Sequence, residues 1–383
     1  MHEYRIIILA ALLMLGFGLF SRLAERSPIT GPMVFVAIGI GTGPLGLGLI
    51  EIELDTRLVR VIAEVTLVLI LFVDACSIRL RAAIREQDIP FRLLLIALPL
   101  TILAGALVAL PIFDSMGIWA IATLACVLCP TDAALGQPVV KSKEVPERTR
   151  NAINVESGLN DGLALPPLLV FLGGLSAMVT AQGGAAYWVG FGLQQLILGP
   201  LVGAFVGWFG GALVDKASRA GWMNPTFQRL ASASLALLAY ALAEAVHGNG
   251  FIAAFCGGLL LGTRTQVVRQ RIHEFGEAEG QQLSLFVFLL FGLVLVPEAA
   301  SHWDGKSWLY AVLSLTVIRM IPVAISLIGA RVDWRTVGFI GWFGPRGIAS
   351  VLYLLLVISV VGMSGHERML AWYKRGSTRD PVR

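Results

Sequence analysis

Charge is scarce in this chain. Only 14% of its 383 residues are Asp, Glu, Lys or Arg, against roughly 25% in soluble domains. A hydrophobic share of 56% and a mean hydropathy of +0.78 exclude an ordinary soluble enzyme. Cysteine is equally sparse: Cys76, Cys126, Cys129 and Cys256 all fall in apolar runs. Cys126-x-x-Cys129 has the spacing of a redox or metal motif, but no second Cys or His pair accompanies it, so both read as small helix-packing residues. The five histidines, His2, His247, His273, His302 and His366, sit at expected loops or ends and form no metal-ligand pair. His273, beside Glu274 and Glu277, is the one placed to sense pH. No low-complexity segment and no soluble domain is evident. The net charge of +4 does not point to nucleic acid, because the basic residues fall in short loops between apolar runs.

What the chain has is apolar length and glycine. The 42 glycines fit helix packing in lipid, where small residues let backbones approach. At about 20 apolar residues per span, the sequence divides into twelve expected helices: 5–20, 31–49, 58–76, 91–112, 117–139, 150–174, 185–213, 227–245, 249–263, 281–299, 307–329 and 336–362. The first is expected to be a span or uncleaved signal-anchor, since no small-residue cleavage site follows it. The short, Gly-rich 249–263 is expected to be tilted or re-entrant. The fold class is therefore an all-α polytopic membrane protein, with no enzymatic role expected.

The loops alternate in charge. Arg22 and Arg26, Arg79, Arg81, Arg85 and Arg92, Lys141, Lys143, Arg148 and Arg150, Lys216, Arg219 and Arg229, Arg264, Arg269 and Arg271, and Arg331 and Arg335 form one set. The opposite set holds little beyond Arg57, Arg60 and Lys306. The positive-inside rule puts the first set in the cytoplasm and the N-terminus outside. Twelve spans then leave the C-terminus outside, yet the tail 363–383 carries Arg368, Lys374, Arg375, Arg379 and Arg383. One more span near the end would return it to the inside.

Against this background a few polar residues are conspicuous. Glu156-Ser157-Gly158-Leu159-Asn160-Asp161 lies within an apolar run, as does Cys129-Pro130-Thr131-Asp132. An ionisable residue at membrane depth costs about 2.5 kcal/mol or more and by default marks an ion or proton pathway. On a helix Ser157 and Asp161 share a face, offering hard oxygen ligands that suit a small cation. Asp161 can hold a cation or a proton but not both well, because each neutralises the same charge. Asn160 cannot titrate, so the pair carries one switchable charge; it orients Asp161 or simply bonds a neighbouring helix. Asp74, near the end of its span, reads as a second ligand or as an interfacial partner of Arg79 and Arg81. Glu64, earlier in that span, reads as structural.

Pro130 breaks its helix and frees backbone groups for a midplane ion. Thr131 then offers a hydroxyl or carbonyl, and Asp132 either serves directly or balances the positive end of a half-helix. A second break is expected at Gly344-Pro345-Arg346-Gly347, where Arg346 can offset carbonyl dipoles or acids. Paired interrupted segments in the two halves are the best sequence pointer to a transporter site. Glu156 needs a cationic partner, and Arg319 is the basic residue deep in 307–329; their ion pair would tie the halves together.

These residues carry a resemblance. Glu156-Ser-Gly-Leu-Asn-Asp161 resembles the E-S-x-x-N-D signature of the cation:proton antiporter-1 family, the prokaryotic NhaP-type Na+/H+ exchangers. Leu71-Phe-Val-Asp74, Cys129-Pro-Thr-Asp132 and Phe343-Gly-Pro-Arg-Gly347 resemble its motifs on the third, fifth and twelfth helices, and Arg319 matches the arginine paired to the E-S glutamate. The likeness runs from about 5 to 362. It implies a thirteen-helix NhaA/NhaP-like fold of inverted repeats with two broken, crossing helices, of which the last helix is not visible here. It implies a core domain (about 58–174 and 281–362), a dimerisation part (about 1–50 and 185–263), a homodimer, and elevator-like alternating access. The implied substrate is a monovalent cation, with Na+ ahead of Li+ and K+, held by Asp161, Ser157, Thr131 and Asp74 and exchanged electroneutrally for H+ without a cofactor. The implied location is the plasma or inner membrane of a prokaryote, with a role in pH homeostasis. Two departures are Asp74, where Glu is common, and Cys129, where Thr is usual. Two other classes compete. An intramembrane aspartyl protease would use Asp132 and Asp161, but its G-x-G-D context is absent. A passive cation channel would need no proton-coupled carboxylate.

Overall fold

The computed structural model describes residues 2–24, 29–50, 56–77, 88–132, 145–180, 185–264, 279–344 and 346–361. All regular elements among them are helical: α1 (His2–Ala24), α2 (Gly31–Thr42), α3 (Thr56–Ser77), α4 (Asp88–Ile112), α5 (Ile118–Val127), α6 (Glu147–Thr180), α7 (Ala185–Arg219), α8 (Pro225–Ala245), α9 (Gly250–Arg264), α10 (Glu279–Ala300), α11 (Gly305–Ser326), α12 (Trp334–Trp342) and α13 (Ile348–Val361). The basic tail, His273 and many of the loop arginines lie outside the described residues.

Local chemistry sets several ends. Asn224 opens α8 by accepting from the Phe227 amide at 3.0 Å, with Pro225 at the first helical position. Asp304 opens α11 by accepting from the Ser307 amide at 2.8 Å. Proline also shapes helix interiors. In α4 and α10 a π-helical stretch, Leu93–Ala97 and Phe291–Leu295, ends two residues before Pro99 and Pro297. A proline lacks the amide and crowds the carbonyl one turn back, and the wider turn relieves both.

Two expected spans are interrupted. The last, 336–362, is two helices, α12 and α13, with the described residues between them, 343–344 and 346–347, non-helical. The fifth, 117–139, stops as a helix at Val127, and 128–132 is irregular. The region expected at 249–263 is a continuous helix of 15 residues, Gly250–Arg264.

Five helices, α4, α6, α7, α10 and α11, contain segments long and apolar enough to cross a bilayer. Their outer faces carry exposed Leu201, Phe205 and Phe209 on α7 and Ile321 and Ile325 on α11, which belong in lipid. The protein is membrane-embedded. Helices α7 and α9 pack backbone to backbone: a methyl at Gly203 would overlap the Ala253 main chain, and one at Gly207 the Gly257 main chain. Helix α3 packs most heavily on α9, and α2 on the π stretch of α10. A second group joins α4, α6, α11 and α12 around Leu93, Ala152, Val323 and Ile340. Helix α6 lies between the groups.

Candidate ion-binding site

The irregular segment after α5 explains the first half of the site. The chain leaves helical geometry at Leu128 (φ −91°, ψ 5°) and meets Pro130, which has no amide to give. The Thr131 carbonyl instead accepts from α6. The Asn160 amide nitrogen donates to it at 3.0 Å and to the Thr131 hydroxyl at 2.7 Å, and the Ser157 hydroxyl donates at 3.2 Å. Thr131, Ser157, Asn160 and Asp161 thus meet at one place where α5 unwinds against α6.

The second break contacts the first. From the stretch between α12 and α13, Arg346 donates to the Cys129 carbonyl at 2.6 Å and to the Ser314 carbonyl at 2.7 Å. Ser314 precedes Thr316 (φ −119°, ψ −97°), where α11 is interrupted. One guanidinium therefore answers carbonyls left at the ends of two helical segments. The reverse contact is made by Asp132, whose carboxylate lies so close to Gly347 that a methyl there would overlap it. Gly347 precedes α13, so Asp132 sits beside the positive end of that helix. A methyl at Gly344 would overlap the Arg319 side chain. Only glycine fits either place.

Glu156 and Arg319 form the expected pair. Both Glu156 oxygens accept from Arg319 Nη2, at 3.0 and 3.2 Å, with the side chains 6% and 5% exposed. The pair links α6 to α11 across 163 residues of chain.

Asp161 differs. It is 8% exposed, and among the described residues its Oδ1 has no hydrogen-bond partner; neither does Oδ1 of Asn160. Asp132 and Asp74 are the charges whose fields reach it, Asp74 being half-buried on α3. No three His, Cys, Asp or Glu side chains converge as a metal-binding group among the described residues. The donor set is instead one carboxylate with amide, hydroxyl and carbonyl oxygens, which suits a weakly held hard monovalent cation.

Sequence reasoning missed Tyr353. Its hydroxyl donates to the main-chain carbonyl of Asp161 from α13, with the residue fully buried. A lone tyrosine inside Val351–Val361 was the available signal, since a buried phenol needs a partner. Ser314 was also missed; its role comes from its carbonyl, which no sequence motif marks.

Helices interrupted in both halves, their breaks in contact near a buried carboxylate, define a polytopic membrane protein of secondary-transporter architecture. Residues 8–361 match the family model described as "Sodium/hydrogen exchanger, transmembrane", and the chain belongs to that family. It is similar to the K(+)/H(+) antiporter NhaP2 of Shewanella oneidensis (27% identical over 244 residues, 62% of this chain and 40% of that one). It is similar along more of its length to NhaP2 of Shewanella baltica (24% identical over 366 residues, 94% of this chain and 61% of that one). The chain thus spans between 40% and 61% of the length of these relatives. Its fold matches that of the sodium proton antiporter MjNhaP1 from Methanocaldococcus jannaschii, with a TM-score of 0.79 at 19% identity over 97% of this chain and 91% of that one.

Proposed function

We propose that the protein is a secondary antiporter exchanging a monovalent cation for a proton by alternating access, with both ions competing for Asp161. One observation carries this reading: a buried carboxylate oxygen without a partner among the described residues lies next to the helix break formed at Thr131, Ser157 and Asn160. A buried charge that is not compensated by protein must be neutralised by something mobile. A cation does this in one state and a proton in the other.

In this reading Asp161, Ser157, Thr131 and Asp74 supply the ligands, Asn160 and Asp132 brace the break, and Glu156–Arg319 and Arg346 hold the scaffold. Because Asn160 is neutral, one charge is exchanged for one and the cycle is electroneutral. The proposed substrate is Na+; K+ is its main competitor, because the relatives named above are K(+)/H(+) antiporters. The protein works without a cofactor, as a homodimer, in the plasma or inner membrane of a prokaryote, where it serves pH homeostasis. Movement divides a core containing α3–α6 and α10–α13 from a scaffold containing α1, α2 and α7–α9.

The test is a proton gradient imposed on vesicles containing the protein, followed by addition of NaCl, LiCl or KCl. Dissipation by one or more of the salts, absent from protein-free vesicles, is the expected outcome. A gradient unaffected by all three contradicts the reading.

A further inference from the structure

Tyr353 is the buried polar group that the site's ligand chemistry leaves unused. It is 0% exposed, and its hydroxyl donates to the main-chain oxygen of Asp161. A helical carbonyl ordinarily accepts from the amide four residues on, and its second lone pair remains free for such a donor. The bond therefore does not disrupt α6; it ties the peptide that carries Asp161 to a different helix.

The helix on the other side of this bond is α13. Gly347, the residue just before it, is in contact with the Asp132 carboxylate. Six residues later Tyr353 holds Asp161, a separation of about 9 Å along a helix. Helix α13 and the residue before it thus meet the Asp132 carboxylate at one point and the Asp161 peptide at another, so the helix links the backbone that carries one acid to the side chain of the other. Two like charges in a low-dielectric interior influence each other strongly, and the strength depends on their separation.

We propose that Tyr353 is a positioning residue for the ion site. By holding the Asp161 backbone against α13 it sets the carboxylate's distance from Asp132, and so the balance between cation and proton at Asp161. The inference rests on the antiporter reading above, and it adds a residue outside the ligand set.

The experiment uses the full chain, as wild type, Tyr353→Phe and Tyr353→Ala, with Tyr240→Phe as control. Tyr240 is another part-buried phenol, bonded to Glu64 at 3.4 Å away from the site. Two readouts are taken across a pH series: apparent KM and maximal rate for Na+ in proteoliposomes, and the thermal midpoint in detergent with and without saturating Na+, Li+ or K+. Losing one hydrogen bond to the Asp161 peptide should raise the apparent KM of Tyr353→Phe about 3- to 10-fold. Its maximal rate should stay within about twofold, its pH profile should move, and its stabilisation by cation should shrink. Tyr240→Phe should leave KM and pH profile at wild-type values. Tyr353→Ala removes the ring as well and is expected to lower the midpoint further; Tyr353→Phe keeps the test decisive if the alanine variant does not fold. A Tyr353→Phe protein with a lower midpoint but wild-type KM and pH profile overturns the proposal and leaves the phenol a packing role. Wild type that neither exchanges nor is stabilised by any of the three cations overturns the antiporter reading, and this proposal with it.

Discussion

Two carboxylates five residues apart on α6 have opposite surroundings. Glu156 accepts with both oxygens from Arg319 Nη2, so its charge is met by a buried cation. Asp161 has its backbone held by Tyr353, and its Oδ1 has no partner among the described residues. Both are buried in the same helix, so burial does not separate their roles. Compensation does. A paired charge is fixed and serves the fold, while an unpaired one awaits a partner that can come and go.

The largest expected effect breaks the comparison at Asp161. Asp161→Asn keeps the shape and removes the charge, and exchange should fall at least about 100-fold, to the level of protein-free vesicles, because neither ion has a site. The variant's thermal midpoint should be no lower than wild type, since an uncompensated buried charge has been removed. At Glu156 the signs reverse. Arg319→Ala leaves a buried glutamate unpaired and should cost about 3–5 kcal/mol, read as lost folded protein in detergent. Glu156→Gln combined with Arg319→Gln should recover part of that loss.

A smaller effect sharpens the contrast at the helix break. Asn160→Ala deprives the Thr131 carbonyl and hydroxyl of their 3.0 and 2.7 Å donor. It should weaken apparent cation affinity about tenfold, the worth of roughly 1.4 kcal/mol, with less effect on maximal rate. Smallest in structural terms is a change of pH alone. Since proton and cation compete for Asp161, the apparent KM for the cation should rise as pH falls, approaching about tenfold per unit where the carboxyl is mostly protonated, with the maximal rate recovered at high cation.

The parts of this arrangement that were legible in sequence are those where chemistry stays within a few residues. The unusual cost of Glu156, Asn160 and Asp161 in an apolar run showed directly. So did the break at Pro130, and the need of Glu156 for Arg319, because few buried cations were available to meet it. The second break at 343–347 was seen as a motif, yet the segment around it was expected as a single span. An apolar run of 27 residues does not record a short interruption between two helices. The exchange of partners between the breaks, Arg346 to Cys129 and Asp132 to Gly347, joins residues more than 200 positions apart. It depends on carbonyls and a missing side chain, neither of which a sequence pattern displays. Tyr353 was hidden for the same reason: its partner is a main-chain oxygen.

The central claim is that one carboxylate serves both ions, and it is tested most directly in proteoliposomes with the membrane potential clamped. Wild type and Asp161→Asn are compared for proton movement driven by Na+, Li+ and K+. The account predicts cation-dependent proton movement in wild type that survives the clamp and disappears in the variant. Cation-driven proton movement that persists in Asp161→Asn would contradict it.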